Sequence, residues 1–268
     1  MPRRAAGVEP TPIRLPADDP SIFELGLGDL RQHWADAMGL PAMGAEAMAG
    51  ADRRAQTLGV PGGRLMEHAG TAVAAAVRAL AGETERWAHG PILILCGPGN
   101  NGGDGFVAAR RLARLGAQVI VAFVATEGRP KGADAGPNWD RLEGEPRINR
   151  VHTPVARDVA ILGQHVERAC VVVDALLGTG VRGVLREPIR SAVELIGHAR
   201  EAGVPVVAVD TPTAVDLTSG EASDPVVRAD LTITFHRPKL GLLTKRGAAL
   251  AGRVLVAPIG IPPEADRV

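Results

Sequence analysis

The hydrophobic residues of this chain fall into short runs that alternate with amphipathic stretches. The runs Pro91–Cys96, Ala117–Val124, Ala169–Gly178, Val204–Asp210, Ala229–Phe235 and Gly252–Gly260 are apolar almost throughout and end at turn residues. Continuous apolar runs of this length read as strands of a parallel sheet covered on both faces. Between them, apolar positions recur at the helical period. Asp104–Leu115 carries Val107, Ala108, Leu112 and Leu115 on one face and stops at Gly116, and Glu187–Ala202 ends near Gly203. Upstream, Gly44–Leu58 and Arg64–Leu80 read as two further helices, the second with Leu65, Met66, Ala69, Ala72, Val73 and Val77 at helical spacing. Ala69 and Gly70 are small enough for close helix packing, either within the domain or across a dimer. Residues 125–168 are polar and predict one or two helices. The alternation predicts an α/β, Rossmann-like fold: a mainly parallel sheet with helices on both faces, a three-layer sandwich.

The first 40 residues stand apart. Pro2, Pro10, Pro12, Pro16 and Pro20 lie among charged residues and predict a flexible N-terminal extension. Within Ser21–Leu40, Leu27, Leu30 and Trp34 are spaced for a short docking helix. The Rossmann-like domain is expected over residues 41–268, and 268 residues can bury a substantial core. With 30 basic and 30 acidic residues the formal charge is zero, which argues against a broad electrostatic grip on nucleic acid or an acidic membrane. Aromatic residues are 3% of the chain and tyrosine is absent, so stacking platforms for single strands are not expected. Cys96 and Cys170 flank β-branched runs and read as buried free thiols. No secretory h-region follows the early arginines, and no stretch approaches the ~20 apolar residues of a membrane helix. The expectation is a cytoplasmic protein with neither membrane nor nucleic acid as partner.

In open α/β sheets, ligands sit outside the carboxyl ends of the strands, and unusual residues follow three of the runs. The first is the glycine-rich loop Gly97–Gly105, with Asn100, Asn101 and Asp104. Glycines permit positive φ and close approach of a ligand to the backbone, and the helix opened by the loop offers free N–H groups. Asp104 is expected in that helix's first turn. Gly97, Gly99 and Gly102 also satisfy G-x-G-x-x-G, with Glu127 near the end of the next strand, so a dinucleotide fingerprint stays open, as does a plain glycine turn with Asp104 opening the helix. The second is Asp174 after three valines, followed by Gly178-Thr179-Gly180. A carboxylate there needs a cation or several donors; the alternative is a loop cap. The third is Asp210-Thr211-Pro212-Thr213, one βαβ unit later, where Asp210 is either a turn residue or a second carboxylate of the same cleft. Amide, carboxylate and hydroxyl oxygens suit a hard cation.

In this order, the motifs resemble the NAD(P)H-hydrate epimerases, the YjeF-type N-terminal domain. The resemblance covers about residues 40–263. It rests on Leu65-Met66-Glu67-His68-Ala69-Gly70, Gly97–Phe106, Asp174–Gly180, Asp210-Thr211-Pro212-Thr213, Thr234-Phe235 with Pro238-Lys239, and Ile259-Gly260-Ile261-Pro262. It implies a Rossmann-like fold and interconversion of the R and S hydrates of NADH and NADPH, a repair of damaged cofactor. Asn100, Asn101, Gly102, Gly103 and Asp104, together with Gly178, Thr179, Gly180, Val181, Arg182, Gly183, Val184 and Asp210, would hold the hydrated dinucleotide. Asn101, Asp174 and Thr213 would coordinate a potassium ion, and Asp210 would be the acid/base residue at the nicotinamide end. The expected assembly is a homodimer. Many members carry a C-terminal dehydratase; from this sequence, epimerisation alone is expected.

The sequence departs from the family at three places. Thr213-Ala214 stands where Ser-Gly is usual, Thr211 where an aliphatic residue is common, and His68 where Asn is usual. Thr213 keeps a hydroxyl, but Ala214 adds a methyl where the backbone could need glycine's freedom. A catalytically weak or inactive nucleotide-binding or scaffold member is therefore the alternative. An ordinary NAD-dependent oxidoreductase is favoured only by the glycine pattern. Lys239 reads either as a phosphate contact or as an exposed loop lysine.

Overall fold

The computed structural model describes residues 14–178 and 184–266. Its parallel sheet consists of Ile92–Cys96 (β1), Val119–Phe123 (β2), Ile148–His152 (β3), Val172–Ala175 (β4), Val206–Val209 (β5), Leu231–Phe235 (β6) and Arg253–Ala257 (β7). Among the described residues the strand order is β3-β2-β1-β4-β5-β6-β7. The helices are Leu27–His33 (α1), Ala35–Met38 (α2), Ala45–Thr57 (α3), Gly62–Glu83 (α4), Asn100–Arg114 (α5), Ala135–Asp140 (α6), Ala156–Leu162 (α7), Ile189–Glu201 (α8), Leu240–Leu243 (α9) and Lys245–Ala251 (α10). None of the described helices is long and apolar enough to cross a membrane.

Alternate residues of each strand face opposite layers. Ile92, Ile94 and Cys96 of β1 join a core with residues of α3, α4 and α5, whereas Leu93 and Leu95 join a second core with α8. This is the expected three-layer arrangement. Both cysteines are buried and free. The strand missed from sequence is β3, which pairs with β2 from Ile148 opposite Val119. It is a half-exposed edge, so Asn149, Arg150 and His152 are tolerated and no continuous apolar run marks it.

Helices α4 and α5 pack inside the domain at Gly70. A Cβ there would fall 2.4 Å from Cβ of Val107 and 2.6 Å from the Asp104 carbonyl, so this glycine sets how closely the helices approach. The lead-in is part of the folded body from Pro16 onward. Two short 3-10 turns, Pro16–Asp18 and Pro20–Glu24, precede α1, and Ile22, Leu30 and Trp34 are fully buried in the same core as β1. The Ala17 amide donates to Nδ1 of the buried His68 (3.1 Å), and Arg64 holds both carboxylate oxygens of Asp18. His68 thus serves as an anchor for the N-terminal segment, rather than lying on the helix surface.

The chain leaves β1 toward β2 and β3 on one side, then returns to β4 on the other. The carboxyl ends of β1 and β4 are therefore the topological switch point, where a crevice opens. Asp174 faces Leu95 of β1 in register and Ala208 of β5, so the three sequence-predicted strand ends are neighbours.

Candidate functional site

At the end of β1 the glycine-rich segment is mostly helix. Helix α5 starts at Asn100 with Gly99 as its N-cap, and no acidic residue lies in its first turn. Asp104, expected in that turn, falls in the second. The reason is steric. None of the glycines from Gly97 to Gly105 has a positive φ; instead, neighbouring backbone presses on them. A Cβ on Gly97 would lie 1.8 Å from the Leu176 carbonyl oxygen, and one on Gly102 would lie 2.0 Å from that of Gly97. The helix can then begin four residues earlier than its apolar periodicity indicates, and its first N–H groups point out of the switch point, available to an acceptor.

Near the end of β4, Asp174 is fully buried. Its Oδ2 accepts from the Thr213 amide (2.7 Å), and its Oδ1 accepts from the Thr213 hydroxyl (2.7 Å) and the Leu176 amide (3.2 Å). No cationic side chain pairs with it among the described residues. Burial pushes its carboxyl up to about 6, with the Thr213 and Leu176 hydrogen bonds opposing. Thr213 Oγ1 also accepts from the Leu177 amide (3.2 Å), and a Cβ on Gly178 would lie 3.3 Å from Oδ1 of Asn101. The buried Nδ2 of Asn101 has no hydrogen-bond partner among the described residues. The Asp174 carboxylate, the Thr213 hydroxyl oxygen and the Asn101 side-chain oxygen are the oxygen donor set that a hard monovalent cation takes; the orphaned Nδ2 of Asn101 is a donor left for an acceptor such as the ligand.

After β5, Asp210 has φ +63°. Its Oδ1 accepts from the Thr234 hydroxyl (2.8 Å) and lies 3.3 Å from Nζ of Lys239. Lys239 is buried, against the sequence reading of it as an exposed loop lysine, and Nζ also donates to Thr234 Oγ1 (2.9 Å) and the Phe235 carbonyl (2.7 Å). Burial pulls its ammonium below the usual lysine range, and Asp210 pulls it back up. Asp104 is also buried and has no hydrogen-bond or ion-pair partner among the described residues. Burial first, then the charges of Asp210 and Asp52, drive its carboxyl well above the ordinary carboxylate range.

Two cavities meet here. One, of about 330 Å³, is bounded by Gly99, Asn100, Asn101, Leu177 and Gly178. The other, of about 240 Å³, is bounded by Met48, Asp52 and Gln56 of α3 and by Leu65 and Met66 of α4. Asn100, Asp104, Asp210 and Phe235 line both. Val184 lies on the surface, 81% exposed, and Gly102 and Gly103 are buried within α5. Thr179, Gly180, Val181, Arg182 and Gly183 lie outside the described residues. The contribution of α3 went unread in the sequence, although Met48, Asp52 and Gln56 recur at four-residue spacing, the signature of one helix face.

The turn after Asp210 carries two local costs. Ala214 adopts φ +77°, a left-handed conformation suited to glycine, and the buried Thr211 hydroxyl has no partner among the described residues.

Residues 62–241 match the family described as YjeF-related protein N-terminus. A bifunctional NAD(P)H-hydrate repair enzyme Nnr of Pyrobaculum aerophilum is 43% identical over 81% of this chain and 41% of its own length. An NAD(P)H-hydrate epimerase of Cenarchaeum symbiosum is 39% identical over 76% of this chain and 87% of its own. The chain thus spans about two fifths of the bifunctional relatives it matches. The crystal structure of the yeast protein ynu0 shares the fold, with a TM-score of 0.65, 24% identity and coverage of 75% of this chain and 83% of that one. The match to this family over more than half of its length, together with these relatives, makes the chain a member of the YjeF-related N-terminal family.

Proposed function

We propose that this chain interconverts the R and S hydrates of NADH and NADPH. The observation that carries the reading is the contrast between two carboxyls lining one cavity: Asp210 beside an ammonium and a hydroxyl donor, and Asp104 without either. Carboxyl groups whose surroundings separate their protonation states can act as base and acid. In the dihydronicotinamide ring the enamine double bond next to N1 takes up water, so the hydroxyl stands on C6. A proton supplied to that hydroxyl lets the C6–O bond break; water leaves as the N1 lone pair forms N1=C6. A water molecule then adds to the opposite face, a new C6–O bond forms, N1 regains its lone pair, and a carboxylate takes the proton. Asp104 is suited to the donor role and Asp210 to the acceptor role in one direction, with roles exchanged in the other.

The N-terminus of α5, with Asn100 and Asn101, is suited to the diphosphate, and the stretch Gly178–Val184 is assigned to the same task. Asn101, Asp174 and Thr213 would hold potassium, which when bound supplies a fixed positive charge opposite the buried carboxylate. A paired assembly and a cytoplasmic setting accompany this reading; sedimentation velocity tests the first.

Incubation of the purified chain with a single hydrate epimer and potassium, followed by chromatography, tests the proposal. R/S exchange above the buffer rate is expected, and exchange at the buffer rate refutes it. The strained Ala214 and the orphaned Thr211 hydroxyl, flanking the catalytic turn, favour a second reading, a member that binds the dinucleotide without turnover. Tight binding without exchange would select it.

A further inference from the structure

We infer that Asp52 of α3 receives the carboxamide of the substrate's ring and makes the site selective for an amide over a carboxylate at that position. The inference rests on the epimerase reading and concerns residues that precede the matched span 62–241. The two cavities share Asp104 and Asp210, while α3 borders only one of them, away from Gly99 and Gly178. Asp52, Asp104 and Asp210 all line the cavity that α3 borders, whereas only Asp104 and Asp210 line the other.

Ring chemistry fixes what each part of the cavity meets. C6, the epimerising carbon, and C3, which bears the carboxamide, are opposite corners of the six-membered ring, and the ribose leaves from N1, next to C6. With C6 at Asp104 and Asp210 and the ribose leading toward Gly99 and Gly178, the C3 substituent is directed at α3. Asp52 is half-buried there, and its Oδ2 accepts from Nε2 of Gln56 (2.9 Å). No partner is recorded for Oδ1 among the described residues, which leaves it as an acceptor for an amide N–H. Asp134 also borders this cavity. Arg53 lies at its exposed rim, and Lys239 is committed to Asp210 and to carbonyl oxygens. An anionic group at C3 would therefore meet Asp52 and Asp134, and like charges in such a site oppose binding.

The test compares the hydrate of NADH with the hydrate of reduced nicotinic acid adenine dinucleotide, which carries a carboxylate at C3. The wild-type chain is expected to prefer the amide by about 10-fold or more in kcat/KM. Asp52→Asn, which keeps shape and helix and can donate to a carboxylate, is expected to bring the ratio close to one, mainly through KM. Asp52→Ala is expected to lower the preference as well, by weakening the amide substrate. Equal use of both hydrates by the wild type, or a preference unchanged in both variants, overturns the inference and leaves the epimerase reading intact. Failure of the wild type to exchange either hydrate overturns both.

Discussion

Lys239 Nζ stands 3.3 Å from Asp210 Oδ1 with the lysine side chain wholly inaccessible to solvent, so the ammonium and the carboxylate depend on each other for compensation. Removing one member of a buried pair strands the other and costs about 3–5 kcal/mol. Lys239→Met is therefore expected to lower the unfolding free energy by roughly that amount, measured by urea titration. Adding Asp210→Asn to that variant should return part of the loss, because the stranded charge is then gone. A double variant no more stable than additive losses allow would show that the two side chains are uncoupled.

Asp210→Asn alone keeps the size and polarity of the side chain and removes its capacity to take a proton. The expected result is a fall in hydrate exchange of about 10²–10⁴-fold, with dinucleotide affinity changed little. Single-epimer chromatography and calorimetry measure the two quantities, and full exchange in the variant would remove Asp210 from the chemistry.

Potassium should stabilise the fold in a pH-dependent way. The Asp174 carboxyl is raised to about 6 by burial, so it is protonated at pH 5 and ionised at pH 7.5, and a cation binds only the ionised form. In the absence of cation, the folded state holds this proton more tightly than the unfolded chain. The Asp174 contribution to stability therefore falls as pH rises from about 4 to about 6. Thermal scans with potassium chloride against tetramethylammonium chloride should show a larger rise in Tm at pH 7.5 than at pH 5. Asp174→Ala should abolish that difference.

The turn after Asp210 can be relieved. Ala214→Gly removes a left-handed alanine worth about 1–2 kcal/mol, part of which glycine's greater freedom in the unfolded chain offsets. Thr211→Val removes a buried hydroxyl whose lack of a partner costs about 1–3 kcal/mol. Each change is expected to raise Tm by about 2 °C or more, read by calorimetry. A fall in Tm for Thr211→Val would mean that the hydroxyl is satisfied in solution.

His68 should titrate late. Burial and the Arg64 charge hold its imidazolium down, with Asp18 and Glu67 opposing and Arg111 adding to the depression. The unfolded chain therefore takes up the proton first, and the His68 contribution to stability is lost as pH falls from about 6.5 through the lower folded value. Protonated Nδ1 cannot accept from the Ala17 amide, so this amide should lose protection against hydrogen exchange over the same range. Protection that persists below the imidazole midpoint would show that the segment is held by other contacts.

The layers, most strands and the placement of Asp174 and Asp210 were legible in the sequence because buried parallel strands need continuous apolar runs, and Asp after Val-Val-Val or Val-Ala-Val breaks such a run conspicuously. β3 was hidden because an edge strand tolerates Asn149, Arg150 and His152. The start of α5 was hidden because glycine normally signals a loop, and only the tertiary contacts of Gly97 and Gly102 explain its use in a helix. The burial of Lys239 was hidden because it depends on Asp210, brought from the end of another strand to meet an ammonium already held by the nearby Thr234 and Phe235. His68 likewise gave no local sign that it would receive the Ala17 amide.

That early start of α5 changes what binding demands of the protein. Asn100 and Asn101 ride on the first turn of a fifteen-residue helix that is pressed against β1, β4 and α4 through glycine contacts. Fixing a backbone residue costs about 1–2 kcal/mol, and here folding has already met that cost for both asparagines. A ligand arriving at the switch point finds its donors preorganised, so little affinity is spent on ordering them. A side chain at Gly102 would act against this without touching the ligand: by pushing α5 off the sheet, it would return the asparagines to a mobile loop.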